Sequence, residues 1–237
     1  MLGLPLAGSH LAQLSIGITD TVMLGWYGVS ELAAQSLASS YFFVIFLLGS
    51  GFGIAVMPMV AAAIANEDRT QVRRVTRMGL WLSCLIGCAS MPLFWFSGPI
   101  FVALGQDPDL SQLMQDYLRI AGWSMPLFLI AVVFKSHLSA LGHTQIVLWA
   151  TLAGTVVNIG FNWLLIFGNL GAPAMGVSGA GLATTISLYL GTGLYFFFAM
   201  RHAHDKGFLH QLPKRSVLWQ QLKLSLPSSF QQLFFSA

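Results

Sequence analysis

Charged residues are scarce in this chain, and their scarcity limits what the protein can be. Only 8% of the 237 residues are Asp, Glu, Lys or Arg, whereas 56% are hydrophobic and the mean hydropathy is +0.73. A soluble domain has about 25% charged residues. The composition therefore excludes a soluble globular fold, gives no reason to expect a nucleic-acid partner, and indicates a polytopic membrane protein surrounded by lipids.

Enzyme motifs are also missing. The chain has no HExxH, no GxSxG and no Walker loop, so nothing indicates a membrane protease, an esterase or an ATP-driven pump. Its two cysteines, Cys84 and Cys88, lie four residues apart in an apolar stretch, where we expect packing rather than a disulfide or a metal pair. His202, His204 and Asp205 are expected to be solvated in a linker. We therefore expect no enzyme activity and no cofactor.

Long apolar runs are what the chain does have. A membrane-spanning helix needs about 20 mostly apolar residues. Six stretches meet that length, at residues 3–26, 34–64, 76–103, 112–141, 146–168 and 177–200, and a seventh begins near residue 217. The pattern predicts an all-α membrane helix bundle, with a six-helix lobe at 1–200, a basic linker at 201–216 and the start of a seventh helix at 217–237.

The lysines and arginines predict how these spans are oriented. Ten of the eleven lie in or towards the loops that follow the even-numbered spans: Arg69, Arg73, Arg74, Arg77, Lys135, Arg201, Lys206, Lys214, Arg215 and Lys223. Lys135 lies within the fourth span near that end, where its side chain is expected to extend to the membrane surface. By the positive-inside rule, the N-terminus and these loops are expected in the cytoplasm.

A short similarity suggests an internal repeat. The chain opens with "MLGLPL", and the predicted seventh span opens with "KLSLPS"; aligning Pro5 with Pro227 also pairs leucines at three further positions. Many secondary transporters consist of two related halves. We therefore expect the chain to be one lobe followed by the beginning of another.

One carboxyl group lies deep in a predicted span. Seven of the eight acidic residues fall in or beside loops, whereas Asp20 in "GITDTV" lies past the middle of the first span, without a basic residue in its flanks. A charge at a span centre costs about 2.5–3.5 kcal/mol, so such residues usually face a cavity and mark a pathway. Because burial disfavours the charged form, we expect Asp20 to exchange a proton; the alternative is a structural acid hydrogen-bonded to a neighbouring helix.

The fifth span carries two amides on one helix face. Asn158 and Asn162 in "VVNIGFNWLLIFG" are four residues apart, and therefore one turn apart. Their side chains could hydrogen-bond a neighbouring carboxylate, or coordinate a cation through their oxygens. They could equally hold two helices together, as asparagine often does in bilayers. The residues alone leave these alternatives open.

Four stretches together resemble a known family. They are "LPLAGSHLAQLSIGITDTVMLGWYGVSELAA", "GSGFGIAVMPMVAAAIANED", "ALGHTQIVLWATLAGTVVNIGFNWLLIFG" and "GAPAMGVSGAGLATTIS". The chain is similar to the multidrug and toxic compound extrusion (MATE) family, in its NorM-like bacterial branch. The resemblance implies a twelve-span fold of two six-helix lobes, with this chain as the N-terminal lobe.

The resemblance also implies a function and a site. It implies a monomeric antiporter of the bacterial inner membrane that exchanges H+ or Na+ for small organic, often cationic, compounds. Asp20, Asn158 and Asn162 match the family's polar positions and would bind H+ or Na+, and Thr184 or Thr185 in "GLATT" would join them. Family members often carry an acid in the seventh span, where this chain reads "LPSSFQQLFFSA", and its absence favours proton coupling through Asp20.

Three other functions stay open. A lipid-linked precursor flippase of the same superfamily would need several basic residues deep in its cavity, and the sequence indicates none there. A non-transporting protein of six spans is a second alternative. An intramembrane enzyme is a third, and the missing motifs count against it.

Overall fold

The helices follow one another with short connections. In a computed structural model, described over residues 3–202, they are α1 (Gly3–Tyr27), α2 (Val29–Ala65), α3 (Arg69–Trp95), α4 (Ser97–Ala103), α5 (Pro108–Ala121), α6 (Met125–Ala140), α7 (Thr144–Phe167) and α8 (Gly176–His202). Short 3-10 turns lie at Gly122–Ser124 and Asn169–Gly171, and the described part contains no β-strand. This confirms the all-α prediction. Most of the predicted basic linker and the whole predicted seventh helix lie outside the described residues.

Two predicted spans are interrupted. The third, at 76–103, consists of α3 and α4, which meet at Phe96. The fourth, at 112–141, consists of α5 and α6, which meet at the turn Gly122–Ser124. Helix α5 begins earlier than predicted because the Asp107 carboxylate accepts hydrogen bonds from the backbone amides of Asp109 and Leu110, at 2.9 and 3.3 Å. Such a cap satisfies amides that have no partner within the helix.

Glycines allow close packing at two of the helix contacts. A Cβ atom on Gly87 of α3 would lie 2.4 Å from the Cα of Pro126, where α6 begins. A Cβ atom on Gly179 of α8 would lie 2.5 Å from the carbonyl oxygen of Leu165 on α7. Neither distance leaves room for a larger residue, so both pairs of backbones approach closely because of glycine. The second contact fixes the relative position of α7 and α8.

Five helical segments are long and apolar enough to cross a membrane. They are Val29–Ala65, Arg69–Trp95, Pro108–Ala140, Thr144–Phe167 and Gly176–Arg201. Helix α1 is not among them, although its 25 residues are enough for a crossing. Its polar residues His10, Gln13 and Asp20 lower its apolar character. The first of the six predicted spans is therefore long enough to cross a membrane but less apolar than these five segments.

Helix α1 is held in the bundle mainly by α7. The Thr155 hydroxyl on α7 donates a hydrogen bond to the Ala12 backbone oxygen on α1, at 3.1 Å. Towards the other end of α1, the fully buried Leu24 belongs to an apolar cluster that includes Ile166 and Ala180. Helices α1, α7 and α8 therefore meet along the part of α1 that runs from Ala12 to Leu24. Asp20 lies within that part.

Candidate functional site

Asp20 is buried at the junction of three helices. Only 4% of its surface is accessible. Its Oδ1 atom accepts a hydrogen bond from Asn162 Nδ2 on α7, at 2.5 Å. Its Oδ2 atom accepts one from the Thr184 hydroxyl on α8, at 3.0 Å. The carboxyl group therefore connects α1 to both α7 and α8.

The two asparagines complete a ring of hydrogen bonds. Asn158 and Asn162 lie one turn apart on α7, and both side chains are fully buried. Asn162 Nδ2 also donates to Asn158 Oδ1, at 3.1 Å, and Asn158 Nδ2 donates to Thr184 Oγ1, at 3.3 Å. Both amides therefore face the carboxyl group rather than lipid. The structure brings these sequence-predicted residues together, whereas their roles stay a prediction.

The structure distinguishes the two threonines of "GLATT". Thr184 faces the cluster and bonds Asp20 and Asn158. The Thr185 hydroxyl instead donates to the Gly181 backbone oxygen within α8, at 2.7 Å. Consecutive residues of a helix point about 100° apart. Of the two threonines, only Thr184 therefore contacts the cluster around Asp20.

The partners of Asp20 are all neutral. Within residues 3–202, the groups that bond its carboxyl oxygens are an amide and a hydroxyl, and no cationic side chain is among them. A buried carboxylate without a counter-charge is costly, and neutral hydrogen bonds offset only part of that cost. The cluster therefore lacks one positive charge, which a proton or a small cation can supply.

One acceptor in the cluster has no partner. Among the described residues, Asn162 Oδ1 is buried without a hydrogen bond, although buried polar atoms are nearly always paired. It lies in a set that also includes the oxygens of Asp20, Asn158 and Thr184. Oxygen ligands suit hard cations such as Na+, and a free acceptor can equally receive the proton of a carboxylic acid. The arrangement fits either ion.

A second polar layer extends from Asp20 towards α2. The buried Tyr117 of α5 lies close to both Asp20 and Ser39. Gln35 Nε2 donates to Ser39 Oγ at 3.1 Å. The sequence reasoning missed all three residues. Gln35 and Ser39 carried a usable signal, because they lie four apart in an apolar helix, whereas a single tyrosine gives none.

Lys135 on α6 contacts the first helix. Its ammonium group donates to Gln13 Oε1, at 3.2 Å, near the middle of the 25-residue α1. The side chain therefore crosses from α6 to α1, and its predicted extension to the membrane surface stays a prediction.

Other candidate ligands do not form a site. The described residues contain no group of three or more His, Cys, Asp or Glu side chains that could hold a metal ion. Cys84 and Cys88 on α3 are free thiols. The predicted solvated group His202, His204 and Asp205 lies outside the residues whose side chains are described.

Comparison with known proteins gives matches over most of the chain. The MatE family profile matches residues 5–164. The chain is 41% identical to "Probable multidrug resistance protein NorM" of Rhizobium meliloti (strain 1021), over 84% of this chain and 43% of that protein. It is 37% identical to the protein of the same name from Agrobacterium fabrum, over 97% of this chain and 50% of that protein. The chain thus spans about half the length of the curated relatives it matches.

Solved structures show the same fold. One is described as the "outward-facing conformation of a multidrug resistance MATE family transporter", with a TM-score of 0.85 at 24% identity over 99% of this chain and 52% of that one. Another is described as an inward-facing conformation of such a transporter, with a TM-score of 0.78 at 22% identity over 92% of this chain and 50% of that one. The chain therefore has the fold of about half of such a transporter.

Proposed function

The chain belongs to the MATE family, and from this premise we propose that it is the N-terminal lobe of a cation-coupled multidrug efflux antiporter. The exported compounds are small and organic, and often cationic. The full-length protein acts as a monomer in the bacterial inner membrane, with its N-terminus in the cytoplasm. The observation that carries the proposal is the buried carboxyl group of Asp20, bonded only to neutral donors where α1, α7 and α8 meet.

The coupling ion binds at Asp20. In the ionised state, the carboxylate accepts from Asn162 and Thr184. A protonated carboxyl group must donate one hydrogen bond, and Asn162 Oδ1 is the acceptor that has none. Proton uptake therefore rearranges the bonds between α1 and α7. We favour H+ over Na+, which the same oxygens could also coordinate.

This rearrangement supports alternating access. Asp20 holds α1 to α7 and α8 through two hydrogen bonds, so a change in its ion partner changes the contact between these helices. Similar transporters are described in outward-facing and inward-facing conformations. In the proposed cycle, ionised Asp20 accepts the organic compound from the cytoplasm, and ion binding from outside releases it.

The driving force is sufficient for efflux. Moving one charge across 100 mV is worth about 2.3 kcal/mol, and a tenfold concentration ratio costs about 1.4 kcal/mol. One proton exchanged for a neutral compound could thus sustain a ratio of roughly forty to one. Exchange for a monovalent cation is electroneutral, so only the pH difference drives it.

Dye efflux from vesicles that contain the full-length protein tests this function. The Asp20→Asn variant keeps the size of the side chain but can neither bind a proton nor carry a charge. We expect it to lose dye efflux driven by a pH gradient. The wild-type protein assayed with a Na+ gradient alone separates the two coupling ions. Efflux at the wild-type rate from the Asp20→Asn variant would remove Asp20 from the mechanism.

A further inference from the structure

Three arginines lie close together near the start of α3. Arg73, Arg74 and Arg77 fall within about two turns of this helix, which begins at Arg69. Arg73 and Arg74 are close enough to Arg77 for their charges to repel its guanidinium group. Like charges one turn apart destabilise a helix. This concentration of positive charge therefore does not stabilise α3 itself.

The cluster contains guanidinium nitrogens that have no hydrogen-bond partner. Arg77 is 5% exposed, and its Nη1 atom is buried without a hydrogen bond. The Nε atom of Arg74 is likewise buried and unbonded. Buried polar atoms are nearly always bonded, and a buried charge is costly without a counter-charge. In the described part of the chain, the cluster therefore lacks an anionic partner.

The acidic residues nearest in sequence do not supply that partner. Glu67 and Asp68 belong to the turn between α2 and α3. The Asp68 carboxylate accepts a hydrogen bond from the Gln71 backbone amide, at 2.9 Å, and so caps the start of α3. Within residues 3–202, the charges that act on Arg77 are only those of the two neighbouring arginines.

Exposed tryptophans place the cluster at the membrane surface. Trp81 is 56% exposed and lies one turn after Arg77 and two turns after Arg74, on the same side of α3. Trp95, which ends α3 about 21 Å further along, is 44% exposed. Tryptophans concentrate at the two membrane–water interfaces. Arg77 and Arg74 therefore lie about 6 and 10 Å beyond Trp81, at the level of the lipid headgroups.

The same side of α3 continues along the hydrocarbon region. Leu85, one turn after Trp81, is 67% exposed. This surface therefore presents guanidinium groups, then an indole ring, then an aliphatic side chain. A phospholipid has the matching order of phosphate, glycerol ester and acyl chain. Arg73 and Arg74 are only partly buried, so the cluster is open at the surface.

We propose that Arg74 and Arg77 bind the phosphate of an anionic phospholipid whose acyl chains lie along Trp81. Guanidinium N–H groups are strong donors to phosphate oxygens, and the unbonded Nε and Nη1 atoms are the donors available here. Basic groups at the surface end of spanning helices suit anionic headgroups. A zwitterionic phospholipid offers the same phosphate but adds a cation, which the arginines repel. The site is separate from Asp20 and does not depend on the proposed transport.

Native mass spectrometry of the purified full-length protein tests this site. The protein in detergent is titrated with dioleoyl phosphatidylglycerol, which is anionic, or with dioleoyl phosphatidylcholine, which has the same acyl chains and no net charge. The variants are Arg74→Gln and Arg77→Gln. Arg69→Gln is the control, because it removes an exposed arginine from the start of the same helix. A further arm adds excess inorganic phosphate.

We expect wild-type protein to bind phosphatidylglycerol more tightly than phosphatidylcholine. Arg74→Gln and Arg77→Gln should each weaken binding of phosphatidylglycerol about tenfold, the loss expected for one charge-assisted contact. Binding of phosphatidylcholine should change little. Arg69→Gln should stay within about twofold of wild type for both lipids. Inorganic phosphate should not displace the bound phosphatidylglycerol, because it has no acyl chains to lie along Trp81.

Three results would overturn the inference. The first is equal affinity of the wild-type protein for the two lipids. The second is an unchanged preference for phosphatidylglycerol in both glutamine variants, as expected if an acid elsewhere in the protein neutralises the arginines. The third is displacement of the lipid by inorganic phosphate, which would make the ligand a free anion. If Arg77→Gln does not fold, Arg74→Gln decides, because that side chain is partly exposed.

Discussion

At the scale of single residues, the cluster is defined by its lack of positive charge. Asp20 is 4% exposed, and Asn158 and Asn162 are fully buried. Each hydrogen bond around the carboxyl group comes from a neutral donor. A protein that needed only a structural link between α1 and α7 could use a neutral amide there. A carboxyl group that is costly to ionise is useful where a charge must be gained and lost.

The two adjacent threonines provide a matched pair of variants. Thr184→Val removes a hydroxyl that bonds both Asp20 and Asn158, whereas Thr185→Val removes one that bonds only its own helix. We expect Thr184→Val to lower efflux about tenfold, because a buried carboxylate loses one of its two donors. Thr185→Val should stay within about twofold of wild type. Equal effects of the two substitutions on the initial efflux rate would contradict this assignment.

The unpaired acceptor of Asn162 gives a second prediction at this scale. Asn162→Leu removes both the donor to Asp20 and the free Oδ1 atom, while keeping a similar volume. We expect efflux to fall by more than tenfold, because protonated Asp20 then has neither partner. The measurement is the initial rate of dye efflux in vesicles. Asn169→Leu, which changes a partly exposed asparagine outside the cluster, is the control. Retained efflux in Asn162→Leu would show that Asp20 does not need this amide.

At the scale of helices, the site depends on how closely α7 and α8 approach. The contact at Gly179 brings the α8 backbone against the Leu165 carbonyl of α7. Thr184 follows Gly179 by little more than one turn, and Asn162 precedes Leu165 by less than one turn. Since the Asn158 to Thr184 bond is 3.3 Å long, a shift of about 1 Å between the helices would break it.

Two glycines of α8 test this contact. A Cβ atom on Gly179 would lie 2.5 Å from the Leu165 carbonyl oxygen, whereas one on Gly191 would meet nothing within 4 Å. Gly179→Ala should therefore lower the thermal unfolding temperature of the full-length protein in detergent. Gly191→Ala should leave it unchanged or raise it, because alanine favours a helix over glycine by about 1 kcal/mol. A destabilised Gly191→Ala protein together with an unchanged Gly179→Ala protein would contradict the packing described.

At the scale of the whole molecule, the order of the helices was predictable, whereas the contacts between distant helices were less so. Predicted spans 3–26, 146–168 and 177–200 match α1, α7 and α8 within two residues. Apolar length determines α7 and α8 directly, whereas α1 is long enough to cross but less apolar. The breaks at Phe96 and at Gly122–Ser124 were missed, since proline and glycine are also common in continuous spans.

The site was predictable to a similar extent. Asp20 and the asparagine pair stood out because polar residues are rare in spans, and helical spacing placed both amides on one face. Tyr117 and Lys135 could not be assigned in this way. The proximity of Tyr117 to Asp20, and the hydrogen bond from Lys135 to Gln13, depend on how distant helices come together, which periodicity does not describe.

The central claim is that Asp20 exchanges its coupling ion against the exported compound. It is tested most directly by measuring proton release when a cationic dye is added to the purified full-length protein in weakly buffered solution. The account predicts that wild-type protein releases about one proton per bound dye when Asp20 starts protonated, and that Asp20→Asn binds dye without this release. The same proton release from both proteins would contradict the account.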